Sequence, residues 1–274
     1  MKLYDRPCVM GVVNVTPDSF SDGGRYFNPS DAIERGLKLF EAGAAIVDVG
    51  GESTRPFASV VDEEEEVRRV LPVVAVLAQH GTVSVDTRRA SVARHAVEAG
   101  ATIINDVGAS LANVASSLGV AWVAMHMKGD PQTMQVRPTY RDVVAEVSAH
   151  LVARAEEAES LGVREIYIDP GIGFGKTVEH NLALLESVDR LTAQRWPVVV
   201  GISRKRFLSL LSPAELRDPP SPSDRMEHSL AAAAWCFSRG VAVVRAHDVV
   251  ETMQLLTLAR RSESLHGRDQ RGRS

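Results

Sequence analysis

The sequence predicts an α/β fold, a single (β/α)8 TIM barrel, and three observations carry that prediction. Eight short β-branched runs recur along the chain, each ending in polar residues. Segments with helical spacing separate them, and no linker-like break interrupts the alternation. The runs are near-continuously apolar rather than alternating, which is the pattern of parallel strands buried on both faces. A doubly wound sheet is the structural alternative.

Each strand is legible in turn. Val9-Met10-Gly11-Val12-Val13 leads to Asn14, and Ala45-Ile46-Val47 leads to Asp48. Val83-Ser84-Val85 ends in Asp86, and Thr102-Ile103-Ile104 in Asn105-Asp106. Trp122-Val123-Ala124-Met125 runs into His126, and Ile166-Tyr167-Ile168 into Asp169. Val198-Val199-Val200-Gly201 precedes Ser203-Arg204-Lys205, and Val241-Ala242-Val243-Val244 precedes Arg245, Ala246 and His247. Between them, Ser30-Asp31 caps a helix carrying Ile33, Leu37 and Phe40, with Gly43 near its end. Residues 63–77 place Val67, Val70, Leu71 and Val74 on one face, and the run Glu63-Glu64-Glu65-Glu66 sits in the first helical turn, where acids suit the dipole. Residues 142–161 are amphipathic and residues 228–238 are rich in alanine. Prolines at 213, 219, 220 and 222 mark residues 212–224 as a surface loop. The barrel therefore occupies residues 1–261, and residues 262–274 form a polar, Arg-rich tail expected to be disordered.

Composition narrows the function. With 274 residues, 45% hydrophobic and 24% charged, the chain has ample material for a core and is not disordered. A net charge of −4 argues against a nucleic-acid partner bound through a basic surface. No apolar leader and no stretch of about 18 apolar residues stands out, so the expectation is a cytoplasmic protein without membrane contact. Cys8 and Cys236 sit in hydrophobic company and read as buried thiols.

In a barrel of this kind chemistry gathers at the C-terminal ends of the strands. That rim carries Asn14, Asp48, Asp86, Asn105, Asp169, Lys205, Arg245 and His247. Carboxylates and amides suit the edge of an aminopyrimidine-type ring, whereas Lys205, Arg245 and His247 suit a phosphate-like or carboxylate group. Ser203-Arg204-Lys205-Arg206 opens a helix whose free N–H groups favour an anion. The segment of residues 14–24 combines hydroxyls, acids and a double glycine, the composition of a loop that closes on a ligand. His126 lacks the spaced partners of a transition-metal site. Residues 171–176 (GIGFGK) imitate a phosphate loop without its full spacing.

These blocks resemble the dihydropteroate synthase family. Residues 10–24 (MGVVNVTPDSFSDGG) and 48–56 (DVGGESTRP) are similar to its first two signatures. The likeness continues through 84–87 (SVDT), Asn105-Asp106, 125–135 (MHMKGDPQTMQ), 169–176 (DPGIGFGK), 203–206 (SRKR) and 245–248 (RAHD), in family order. The resemblance implies a barrel that joins a dihydropterin-methyl pyrophosphate to 4-aminobenzoate by dissociative loss of Mg2+-bound pyrophosphate. It implies that Asp86, Asn105 and Asp169 hold the pterin, with Lys205 beside it and Met125, Phe174 and Gly201 around it. Asn14 is implied as the magnesium-associated residue, and Thr54, Arg245, Ala246 and His247 as pyrophosphate contacts. Phe20, Arg55, Pro56 and the run starting at Ser203 would form the aminobenzoate side, the target of sulfonamides, and Asp48 is a family acid near the pterin. A homodimer is also implied.

Three departures from the family pattern stand out. Phe57 occupies a usual glycine position after Thr54-Arg55-Pro56, Val107-Gly108-Ala109 replaces a commoner continuation, and His228 precedes Ser229 where a small residue is usual. The alternative is a non-catalytic pterin-binding paralogue of the same fold. A pterin-binding methyltransferase domain is disfavoured by the pyrophosphate-type residues at 203–205 and 245–247.

Overall fold

Every strand-to-strand pairing in the computed structural model is parallel, as the continuous apolar runs require. It describes residues 7–16, 28–53, 61–210 and 225–271. The strands are β1 (Cys8–Asn14), β2 (Ile46–Gly50), β3 (Thr82–Asp86), β4 (Ile103–Asp106), β5 (Ala121–Met125), β6 (Ile166–Asp169), β7 (Val199–Gly201) and β8 (Val243–Ala246). They are ordered β6-β5-β4-β3-β2-β1-β8-β7. A parallel bridge between Ile168 and Val198 joins the two ends, with Ile168 N–H donating to the Pro197 carbonyl at 3.1 Å. The sheet thus closes as a barrel, and the doubly wound alternative falls away.

Helices alternate with the strands: α1 (Pro29–Glu41), α2 (Glu63–Leu77), α3 (Ala90–Glu98), α4 (Ala112–Leu118), α5 (Val143–Ser160), α6 (Val178–Glu186), α7 (Val188–Thr192), α8 (Arg206–Ser209), α9 (Met226–Ser238) and α10 (Val249–Arg271). Their starts follow capping chemistry. Asp62 accepts the Glu65 N–H at 2.9 Å and Asp142 accepts the Ala145 N–H at 3.0 Å, each such cap worth about 1 kcal/mol. The first helix differs from expectation: Asn28, not Ser30, is its cap, because Pro29 suits the first helical position. The last helix continues to Arg271, so its backbone extends into the segment expected to be a disordered tail.

The side-chain period of two divides each strand between two cores. One set, including Cys8, Met10, Ile46, Ile103, Val123, Tyr167, Val199 and Val243, packs inside the barrel. The intervening residues, such as Val9, Val47, Val83, Ile104, Trp122, Ile168, Val200 and Val244, pack with the helices in a larger outer core. Both cysteines are free and buried, as expected, and burial pushes each thiol up to about 12. Among the described residues no helix is long and apolar enough to cross a membrane.

Candidate active site

Continuing the inward set toward the C-terminal ends brings the chemistry together. Two residues beyond Ile46 is Asp48, two beyond Ile103 is Asn105, two beyond Tyr167 is Asp169, and two beyond Val243 is Arg245. The apolar floor of the barrel therefore carries a polar layer on the same strand faces. Asp48 lies within β2 rather than at its end, because the strand runs on to Gly50.

Arg245 holds this layer together. Its Nε donates to Asp48 Oδ2 at 2.6 Å and its Nη2 to Asp86 Oδ2 at 2.7 Å, spanning from β8 to β2 and β3. Asn105 Nδ2 donates to the same Asp48 oxygen at 3.0 Å. The second oxygens of Asp48 and Asp86 are buried without a hydrogen-bond partner among the described residues, so two acceptors remain for a donor-rich ligand. Burial raises Asp86 to about 7; Arg245 opposes the shift, and Asp48 adds to it. Burial likewise raises Asp169 to about 6 against the Gly171 N–H, which donates to its Oδ1 at 2.7 Å. Burial works against the charge of Arg245, but Asp48 and Asp86 outweigh it and raise its pKa.

Lys205 follows β7 and places Nζ 3.9 Å from the centre of the Phe174 ring, a cation–π contact that brings the β6 and β7 loops together. Burial and then Arg245 lower it to about 8, with Asp169 and Asp86 opposing. Met125 is buried at the end of β5, and Gly201 ends β7 beside Arg245.

His247 departs from the cationic role expected of it. Burial, then Arg245 and Arg204, push it down to about 3, so the imidazole is neutral. Its Nδ1 and its backbone N each lie 3.1 Å from Ser203 Oγ. Arg204, at φ 59°, ion-pairs with Asp248, and its backbone N–H donates to Ser229 Oγ at 2.9 Å. The β7 and β8 loops are thereby joined. The helix expected to cradle an anion, α8, is a single turn and offers only a weak dipole. The Ala246 methyl packs in the outer core, so any substrate contact there falls to its backbone. Asn14 is half-buried at the end of β1, opposite Gly50. Phe20, Thr54, Arg55, Pro56, Phe57 and the proline-rich segment lie outside the described residues.

Two features escaped the sequence reading. Glu66, expected in the acidic first turn of α2, is only 1% exposed and accepts the Thr87 hydroxyl at 2.7 Å while pairing with Arg89. His126, read against a metal role, lies 3.0 Å from Lys176 Nζ through its Nδ1. A period-two reading of β3 would have pointed Thr87 away from Asp86, but no local signal pairs it with Glu66. Among the described residues no group of three His, Cys, Asp or Glu side chains could hold a metal ion.

Comparison with known proteins gives this geometry its context. Residues 10–247 match the family of pterin binding enzymes. The dihydropteroate synthase of Mycobacterium leprae is 46% identical over 258 residues, covering 90% of each chain. The structure of the Xanthomonas albilineans dihydropteroate synthase with 4-aminobenzoic acid superposes with a TM-score of 0.86 at 44% identity, covering 94% of each chain. That of the Thermus thermophilus dihydropteroate synthase in complex with 6HMPPP gives a TM-score of 0.79 at 41% identity, covering 93% of this chain and 94% of that one. The chain therefore belongs to the pterin binding enzymes and, among them, to the dihydropteroate synthases.

Proposed function

We infer that the polar layer inside the barrel mouth is where the chain condenses (7,8-dihydropterin-6-yl)methyl diphosphate with 4-aminobenzoate. The products are 7,8-dihydropteroate and diphosphate, and the reaction is a transfer in folate biosynthesis. One observation carries the placement: Asp48 and Asp86 each keep a buried, unpartnered oxygen beside Asn105, on the inward faces of neighbouring strands. Such acceptors suit the N–H edge of an aminopterin ring.

The reaction needs a leaving group stabilised at one end and a cation stabilised at the other. As the C–O bond breaks, its electron pair leaves with diphosphate and positive charge develops on the exocyclic methylene. Asp86 and Asp169 lie in a low-dielectric layer where nearby carboxylates favour that charge. The pterin ring lies on the Phe174 and Met125 side, with Lys205 directed to its polar edge. The aryl amine of 4-aminobenzoate then forms the new C–N bond and releases a proton, with no covalent enzyme intermediate. Neutral His247, with Nδ1 turned to Ser203, offers Nε2–H to a diphosphate oxygen. Arg245 acts chiefly through Asp48 and Asp86 until diphosphate competes for its guanidinium.

Asn14, whose side-chain amide stands at the end of β1, would hold Mg2+ together with the diphosphate. When bound, it would neutralise leaving-group charge. Calorimetry tests this: Mg2+ should tighten binding of the diphosphate-bearing pterin and leave the hydroxymethyl pterin unaffected. Equal effects would remove Asn14 from the role. A cytoplasmic homodimer completes the reading, and sedimentation of the purified chain checks the assembly.

The decisive assay is diphosphate release from the pterin substrate with and without 4-aminobenzoate. Release that yields dihydropteroate when both are present is expected. No release under either condition would instead identify a binding paralogue.

A further inference from the structure

The glycine-rich turn after β6 contains a lysine that the chemistry above does not use. Lys176 is 3% exposed, and its Nζ faces four acceptors. These are the Gly171 and Phe174 carbonyls at 3.0 Å, the His126 carbonyl at 3.2 Å and the His126 Nδ1 at 3.0 Å. Burial, and then Lys176 itself, push His126 down to about 3, so its ring is neutral and its Nδ1 accepts. Burial draws Lys176 down to about 7 against Asp169. A neutral amine would offer two donors to these four acceptors and an ammonium offers three, so the geometry favours the ammonium.

The turn is built to let this lysine in. Gly171 has φ +63°, and a Cβ there would lie 1.9 Å from the His126 carbonyl oxygen. At Gly175, φ +61°, a Cβ would lie 2.3 Å from the Lys128 carbonyl oxygen. Only glycine permits that approach. The turn so closed carries Phe174, whose ring meets Lys205. In a phosphate loop a lysine reaches outward to an anion; here it is turned inward onto the backbone of its own loop.

We propose that Lys176 is a positioning residue: it pins the Gly171–Phe174 turn to the His126 backbone and thereby sets the place of Phe174 against Lys205 and the pterin. This rests on the pterin site described above. Among the described residues the hydrogen bonds of Lys176 go to His126, Gly171 and Phe174 and none goes to residues 203–206, so its effect should fall chiefly on the pterin substrate.

Lys176→Met keeps the apolar stem and removes the donors. Its affinity for the pterin diphosphate, measured by calorimetry, should fall about tenfold, while the KM for 4-aminobenzoate changes less than about twofold. In a double-mutant cycle with Phe174→Leu the two losses should not add, because the second substitution removes what Lys176 positions. Unchanged pterin affinity in a folded Lys176→Met, equal losses for both substrates, or additivity with Phe174→Leu would overturn the proposal. Should Lys176→Met not fold, His126→Phe removes one acceptor and keeps the ring. Pterin affinity about threefold weaker then supports the proposal, and wild-type affinity overturns it. The unsubstituted chain is the control: failure of that chain to bind the pterin diphosphate would refute the functional reading instead.

Discussion

Two faces of the same strands put similar residues to different uses. Asn105 and Asp106 are consecutive, both buried and both polar, yet they belong to different parts of the molecule. Asn105 points into the barrel and donates to Asp48. Asp106 points outward, where its carboxylate accepts the N–H groups of Gly108, Ser110 and Leu111 and the indole N–H of Trp122. The outward acid is saturated with donors, whereas Asp48 and Asp86 each keep a bare oxygen. Satisfaction, more than burial or charge, separates a structural polar group from one left for a ligand.

The two faces should differ most at Asp86. Asp86→Asn removes the charge from a residue that accepts from Arg245 and, on this reading, from the pterin. A charge-assisted hydrogen bond is worth up to about 3 kcal/mol, so kcat/KM should fall roughly a hundredfold with the fold intact. Steady-state kinetics beside a thermal melt checks both halves, and near wild-type kcat/KM would remove Asp86 from the site. Asp106→Asn should do the reverse. It sets an NH2 group against converging N–H donors and should cost about 2 kcal/mol of stability. Activity per folded molecule should be unchanged at a temperature where the variant remains folded.

The inward layer also predicts a pH profile. Asp86 and Asp169 lose their charge as pH falls through about 7 and about 6, so activity should decline on that side. Lys205 loses its charge as pH rises through about 8, so activity should decline there too. The kcat/KM of the free enzyme should therefore be bell-shaped, with no limb owed to His247, which is neutral above about 3. Lys205→Arg sharpens the test, since a guanidinium keeps its charge and should move the alkaline limb upward. An unmoved limb would assign it to another group.

The strands and their polar ends were legible in sequence because parallel strands buried on both faces must be apolar until they reach the rim. Asp86 and Asp169, as terminal residues, came with them. The apolar run breaks at Asp48, which therefore reads as a strand end, but β2 continues past it on hydrogen bonds that tolerate an inward acid. The neutral state of His247 was not legible, since it depends on burial beside Arg245 of β8 and Arg204 of the loop after β7. Glu66 was missed for a related reason. Four consecutive glutamates read as an acidic helix start, and only long-range contact with Thr87 and Arg89 shows that one of them turns inward. Local pattern reports which face a residue takes; partners distant in sequence decide what it does there.

Thr87 gives the finest test of the two faces, because it is the outward neighbour of Asp86. Its hydroxyl donates to Glu66 and accepts the Arg89 N–H at 3.2 Å, so it links the end of β3 to α2 and the start of α3. Burial raises the Glu66 pKa, and the Thr87 hydroxyl is the first group to oppose that rise. Thr87→Val preserves shape and removes this donor, leaving Arg89 to hold the carboxylate. The lost bond should cost about 1 kcal/mol of stability, read as a small fall in denaturation midpoint at constant m. Pterin affinity should stay within about twofold of the parent, since the substitution faces away from the barrel interior. A larger loss of affinity would mean that the outer network reaches through β3 to Asp86, and the two faces would then act as one unit.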